Sequence, residues 1–296
     1  MIPPGVVPPI GALLSLRLDP WALGLAAVAL IAYLAGVRRV RARGGAWPSR
    51  RTVGFVAGGL GAYLLVSLGF LGVYSADSRW VFVTRVALLV VAVPALVVLG
   101  RPLSLLEAAT SSARVHALRG SRLVRALGSP VVAPLVPLAV FALLITPVAG
   151  WLRTTAGGGG AVDVAVPLLG LAVAAPLAEP LVEASSLRIT GEFTVAFVEL
   201  VADALPGILM RLAATVLDGV VHRAAGAPLW VPSPLRDQQL AGDLLWCLAE
   251  AADLPALILL LRRWVRTDRK EAKRIDDLSD EDYDALTRAH LGDRRP

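Results

Sequence analysis

Apolar residues run through this chain in long blocks separated by short polar stretches, and the length of the blocks sets the fold class. Seven blocks reach spanning length, at roughly 20–37, 52–74, 80–100, 130–151, 162–184, 192–217 and 239–263. At about 1.5 Å per residue, a helix of that length crosses the roughly 30 Å apolar layer of a bilayer. The pattern predicts an all-α fold, a polytopic integral membrane bundle of seven transmembrane helices over residues 1–263, with a charged tail at 264–296. No internal repeat and no soluble domain is visible. The first twenty residues hold five prolines and no basic stretch, which is unlike a cleavable signal peptide.

Two blocks carry breakers. Pro167, Pro176 and Pro180 interrupt the fifth and Pro206-Gly207 the sixth, so both are expected to kink and to lean on neighbouring helices. The run Gly157–Gly160 lies between the fourth and fifth blocks and reads as an exposed, flexible loop. It is no phosphate cradle, because no Lys-Ser/Thr follows it and no strand precedes it.

Composition agrees with a membrane chain: 56% hydrophobic residues, 18% charged residues and a mean hydropathy of +0.68 are too apolar for an ordinary soluble domain. The net charge is +6, and 27 of the 29 basic residues are Arg. Twenty-two basic residues fall on one side of the seven-span arrangement, including Arg38 to Arg51, Arg101 to Arg125 and ten from Arg262 onward. Only Arg17, Arg79, Arg153, Arg223 and Arg236 fall on the other. Basic residues accumulate on the cytoplasmic side of membrane proteins, so the N-terminus is expected outside and the C-terminal tail in the cytoplasm. Because the basic residues flank spans, the surface they meet is the lipid bilayer of the cell membrane, and nucleic acid is not an expected partner.

Charge inside the blocks is the next signal. The last block places Asp243, Trp246, Glu250 and Asp253 at intervals of three and four, so the carboxylates share a helix face. A carboxylate at the centre of a membrane helix costs roughly 2.5–3.5 kcal/mol on insertion scales, so that face must meet protein. Arg85, Glu179, Glu183, Glu199, Asp203, Arg211 and Asp218 complete a polar set within the spans or at their ends. Counting depth along each block brings Arg85 level with Asp243 and near Asp218, and Arg211 level with Glu250 and Asp253. Two readings follow. The groups are either ion pairs that fix helix register or the lining of a polar path, with Glu183, Glu199 and Asp203 at its core.

Catalysis has little to stand on. There is no Gly-x-Ser-x-Gly, no His-Glu-x-x-His and no histidine within a span; Cys247, the one cysteine, has no visible activator, and no enzyme activity is expected. Trp230, Trp246 and Trp264 read as interfacial or packing aromatics.

Several of these residues together resemble a known family. Trp21, Tyr33 and Gly36-Val37-Arg38-Arg39, followed by Gly45, Trp47-Pro48 and Arg51, are similar to the first span and first cytoplasmic loop of the CtaG-type cytochrome c oxidase assembly proteins. Leu99-Gly100-Arg101-Pro102 resembles the end of that family's third span. Asp237-Gln238-Gln239, Gly242, Trp246 and Glu250, with Trp264, Asp268 and Glu271-Ala272-Lys273-Arg274, look like the last span and tail of its actinobacterial members. The resemblance implies a polytopic factor that helps deliver copper to a respiratory oxidase through histidines near the outer ends of its spans.

The chain departs from that pattern at the metal positions. Where the family shows a His-Met-x-x-His stretch entering the third span, counting back from Leu99-Gly100 places Phe82 and Val86. The three histidines, His116, His222 and His290, all lie outside the spans, and a soft set of Met210, His222 and Cys247 would have to bridge about 18 Å between its first two members. The expectation is therefore no metal ligand set and no cofactor, with a copper chaperone that uses unorthodox ligands as a further alternative. The function expected is an oxidase assembly factor that aids biogenesis or acts as a scaffold, with oxidase subunits or another membrane protein as partners. The alternative is a transporter or ion-coupled channel that uses the acidic cluster.

Overall fold

The computed structural model describes residues 7–110, 121–127, 129, 132–178, 202–223 and 225–251, together with 261, 265 and 269. Among these residues there are helices and no strands. The long elements are α1 (Pro20–Ala42), α2 (Ser49–Tyr74) and α3 (Arg79–Gly100). After them come α4 (Pro102–Thr110), α5 (Leu135–Leu143), α6 (Pro147–Thr154) and α7 (Ala156–Ala178). Two further helices run over 202–212 (α8) and from 234 to 251 (α9).

Four of these helices, α1, α2, α3 and α7, are long and apolar enough to cross a membrane, and α5 with α6 makes a fifth if the bent pair counts as one span. The fourth apolar block is thus no straight helix, since α5 and α6 meet at 81°. The bend sits where the turn Leu144-Ile145-Thr146 ends in Pro147, which opens α6 with a missing N–H that a helix start does not need. The described residues after α8, 213–223 and 225–233, are irregular, so the sixth block stops being helical at 212.

Helix ends follow local chemistry. Asp19 caps α1, its carboxylate accepting from the Trp21 and Ala22 amides at 2.9 and 3.3 Å, with Pro20 at the first helical position. Helix α2 breaks at Gly69, whose backbone is extended, and the Leu68 carbonyl freed there accepts from the Arg17 amide at 2.8 Å. Helix α3 stops at Arg101, which takes a left-handed conformation at φ 49° ahead of Pro102.

The expectation for Gly157–Gly160 is overturned: these glycines form the first turn of α7. The reason is steric. A single residue, Thr155, separates α6 from α7, and a Cβ on Gly158 would come within 2.5 Å of the Leu152 Cα. One on Gly160 would meet the Trp21 ring at 2.7 Å. The glycines let two helices and α1 close on one another. Pro167 and Pro176 likewise sit inside a continuous helix.

The centre of the molecule is α3 and α7. In α3 61% of the apolar stretch is buried, against 22% in α1, which therefore lies at the periphery. One apolar core joins Phe82, Val86 and Leu89 of α3 to Tyr63 of α2, Val162 and Val166 of α7, Met210 of α8 and Ala241 and Leu245 of α9.

Candidate functional site

Polar residues converge at three places, each built from elements far apart in sequence. The first is the end of the bundle where α3 begins. Ser78 precedes α3, and the carboxylate of Asp237, reaching over from α9, accepts from the Arg79 amide at 2.7 Å, the Trp80 amide at 3.2 Å and the Ser78 hydroxyl at 2.9 Å. An acidic side chain from another helix thus caps the positive end of α3. The Arg79 guanidinium turns to Asp218 at 2.8 Å and lies 3.8 Å from Asp237. Arg153, from the end of α6, binds Asp218 at 3.1 Å and the Ala76 carbonyl at 2.6 Å.

Asp218 therefore receives two guanidiniums and the Val220 amide at 2.9 Å. Burial works against its charge, but these donors outweigh it and hold the carboxyl below the usual range. Asp77, nearby, is pushed the other way by burial, which Arg153 only partly offsets. A cleft of about 30 Å³, room for roughly one water, opens beside Asp77, Arg79, Arg153, His222 and Asp237.

The second place lies deeper. Arg85, on α3, is paired with Asp163 of α7, and both are buried, at 2% and 0% side-chain exposure. Arg85 also donates to the Ser75 hydroxyl at 3.1 Å, and the Tyr63 hydroxyl donates to the Asp163 carbonyl at 2.9 Å. Helices α2, α3 and α7 and the turn after α2 are tied at this level by one ion pair and its neighbours.

The third place is the opposite end. The Tyr33 hydroxyl donates to the Gly100 carbonyl at 2.9 Å, the Trp47 indole donates to the Tyr33 hydroxyl at 3.1 Å, and Phe55 stacks on Tyr33 at 3.9 Å. Arg51 lies over the Trp47 ring at 4.8 Å. Residues of α1, the loop before α2, α2 itself and the close of α3 form one knot, with Pro48 at the start of α2 and Gly36 against Leu105 of α4.

The sequence-expected residues divide as follows. Arg85 pairs with Asp163 rather than standing against Asp243 and Asp218, and Asp218 pairs with Arg79 and Arg153. Arg211 pairs with Asp243 at 2.9 Å instead of with Glu250, and Glu250 accepts from the Trp246 indole at 2.5 Å. Asp203 is buried on α8. Glu179, Glu183, Glu199 and Asp253 lie outside the described residues, as do Trp264 and the tail motif. Gln238 accepts from the Leu217 amide at 2.7 Å and donates to the Thr215 carbonyl at 3.0 Å, fastening α9 to the segment after α8. Gln239 is approached by Arg236 at 3.3 Å. Gly242 and Gly207 face each other so closely that a Cβ on Gly242 would stand 2.4 Å from the Gly207 carbonyl oxygen. Trp230 is buried among Phe70, Tyr74 and Trp80.

Sequence reasoning missed Asp163 and treated Arg79 and Arg153 only as loop charges. The signal for Asp163 was present, since it is a carboxylate at the second position of the fifth apolar block, far along the chain from that block's Glu179 and Glu183.

The positions at which metal ligands were expected carry no ligand atom. Phe82 and Val86 are each 2% exposed within the apolar core of α3. Met210 is buried on α8, His222 is exposed in the 213–233 segment and Cys247 is exposed on α9. Among the described residues no three His, Cys, Asp or Glu side chains converge as a ligand group.

Comparison with known proteins gives two findings. The family model described as cytochrome c oxidase caa3 assembly factor (Caa3_CtaG) matches residues 31–267. Two mycobacterial proteins, uncharacterized protein Mb0105 of Mycobacterium bovis and uncharacterized protein MT0111 of Mycobacterium tuberculosis, are each 25% identical over 273 residues. The match covers 88% of this chain and 41% of each relative, so the chain spans about two fifths of the length of the curated relatives it matches. No solved structure matches.

Proposed function

Since the chain belongs to the family of cytochrome c oxidase caa3 assembly factors, we propose that it aids biogenesis of a respiratory oxidase as a membrane-embedded scaffold. The observation that carries this reading is the extent of the match, which takes in all three polar knots, together with a third helix whose expected metal positions hold Phe82 and Val86 in the core. Copper, if the pathway handles it, is cargo for which these residues offer no ligands. The role left is to hold or present an assembling subunit, without chemistry of the chain's own.

The reading also takes the chain as seven spans in the cell membrane, N-terminus outside and tail 264–296 in the cytoplasm. What supports it is the distribution of Arg and Lys between the loops. Reporter fusions after residue 296 would report a cytoplasmic end. The ion-coupled alternative is not favoured by family membership.

The experiment is deletion of the gene in its host, followed by the haem a absorbance of the membranes and native electrophoresis of the oxidase. Loss of assembled oxidase that added copper does not restore is the expected result. Normal oxidase in the deletion strain overturns the assembly reading, and full rescue by copper alone overturns the scaffold part of it.

A further inference from the structure

We propose that the α9 face bearing Asp243, Trp246, Cys247 and Glu250 seats a partner's membrane helix that presents a basic side chain to Glu250. This deepens the scaffold reading and rests on it.

The face is defined by geometry. At about 100° per residue, these four positions fall within an arc of roughly 100° on the helix. All four are exposed, whereas Ala241, Gly242, Leu245 and Ala249 on the opposite side are buried.

Depth comes from the cap at the start of α3. Asp237 is hydrogen-bonded to the Arg79 amide, so α9 and α3 start at the same level, and Ala241 and Leu245 enter the same core as Phe82, Val86 and Leu89. Asp243 is six residues past Asp237 and Glu250 thirteen, which sets them about 9 and 20 Å from that end. Helix α3, a membrane-crossing candidate of 22 residues, is about 33 Å long, so Glu250 lies near the middle third of the apolar layer. A carboxylate exposed there cannot face lipid chains without heavy cost.

Charge selects the occupant. Arg211 and Asp243 neutralise each other at 2.9 Å, though both stay 43–44% exposed. Glu250 has only the neutral Trp246 indole among the described residues. Among the described residues the face therefore holds one uncompensated negative charge, and a basic residue at the same depth complements it. A second copy of this chain fits poorly, because a two-fold axis along the membrane normal would bring Glu250 against its own counterpart.

Cys247 is the chain's one cysteine and lies in this face, so it serves as the probe. Native membranes containing the full-length protein are treated with a membrane-permeant benzophenone maleimide and irradiated, and the cross-linked peptide is identified by mass spectrometry. The expected product is a membrane segment of another protein containing Lys or Arg. Its yield should fall at least fivefold in Glu250→Lys and return when the partner's basic residue is changed to Glu. Glu250→Gln, which keeps an acceptor for the indole, should retain the wild-type melting curve and still lower the yield. Cross-links only to lipid, to a second copy or within the chain overturn the proposal. So does rapid labelling by a membrane-impermeant maleimide, a yield indifferent to Glu250→Lys, or failure of the charge reversal to restore it. A charge-dependent partner unrelated to the oxidase would leave this interface standing and defeat the assembly reading. Failed oxidase assembly on deletion with cross-links only to lipid would do the reverse.

Discussion

Arg85 and Asp163 offer the sharpest test of how this bundle is held. Both side chains are buried, Arg85 has one further partner in Ser75, and the second carboxylate oxygen of Asp163 has no hydrogen-bond partner among the described residues. Arg85→Met removes the cation and leaves a carboxylate in an apolar core, a change that costs about 3–5 kcal/mol. Asp163→Val strands the guanidinium with a single hydroxyl at 3.1 Å and should cost a similar amount. Asp163→Asn keeps an oxygen for the guanidinium, so about 1.5–3 kcal/mol is expected. The double variant Arg85→Met/Asp163→Val removes both charges together and should be less destabilised than either single, giving a coupling of at least about 3 kcal/mol. The Tyr63 hydrogen bond goes to the Asp163 backbone carbonyl and survives in every variant. Reversible unfolding by SDS in mixed micelles measures each value. Additivity within about 0.5 kcal/mol would show that the two charges are not energetic partners, and the bundle would have to owe its register to packing alone.

Other predictions test the remaining contacts. Asp237→Ala removes the cap of α3 and part of the charge facing Arg79, so a loss of about 2–4 kcal/mol is expected, with Asp237→Asn milder. Faster hydrogen exchange at the Arg79 and Trp80 amides would locate the effect; unchanged exchange would count against it. Gly242→Ala should lower the melting temperature clearly, because its Cβ would press on the Gly207 carbonyl, while Gly11→Ala, which meets nothing within 4 Å, should leave it unchanged. Asp218 is held below the usual carboxylate range, so its stabilising share is complete above about pH 4 and is lost as pH falls through its lower folded value. Asp218→Asn should flatten the unfolding midpoint against pH below about 4, and an unaltered slope would argue against the pair with Arg79 and Arg153. Purified natural protein should lose to a competing chelator for copper(I), and Phe82→His/Val86→His should gain affinity; tight binding by the natural protein would put Met210, His222 and Cys247 under test.

Which features were legible from sequence follows from whether their cause is local. Apolar blocks give helices because a bilayer-length run has no other way to satisfy its backbone, and the starts of α1, α2 and α3 fall within three residues of where the pattern places them. The path of the chain through Pro147 and Gly157–Gly160 was not legible, because a glycine run has one local meaning in a loop and another where helices touch. Pairing of charges failed for a related reason. Depth counting assumes straight, parallel helices, yet Asp218 sits in an irregular segment and Arg153 at the end of a helix turned by 81°, so Asp218 meets Arg79 and Arg153 along paths that a linear count does not contain. Asp163 was overlooked because the fifth block was begun at 162, which put its carboxylate at an edge rather than seven residues into α7.

The residues that carry the family likeness turn out to be joints. Tyr33, Trp47 and Gly100 hold the ends of α1, α2 and α3 together, and Asp237, Gln238 and Gly242 fasten α9 to α3 and α8. None of these contacts requires a metal, since each is a hydrogen bond, a ring contact or a close backbone approach. Phe82 and Val86, at the positions where the resemblance led one to expect histidines, are buried in the apolar core and take no part in these joints. The match over residues 31–267 takes in all of these joints. Glu250 is the exception that points outward, a motif residue whose hydrogen bond, to Trp246, stays within α9 among the described residues. A frame preserved for its own stability gives no reason to leave a carboxylate exposed at that depth, and a surface that must meet another membrane protein does.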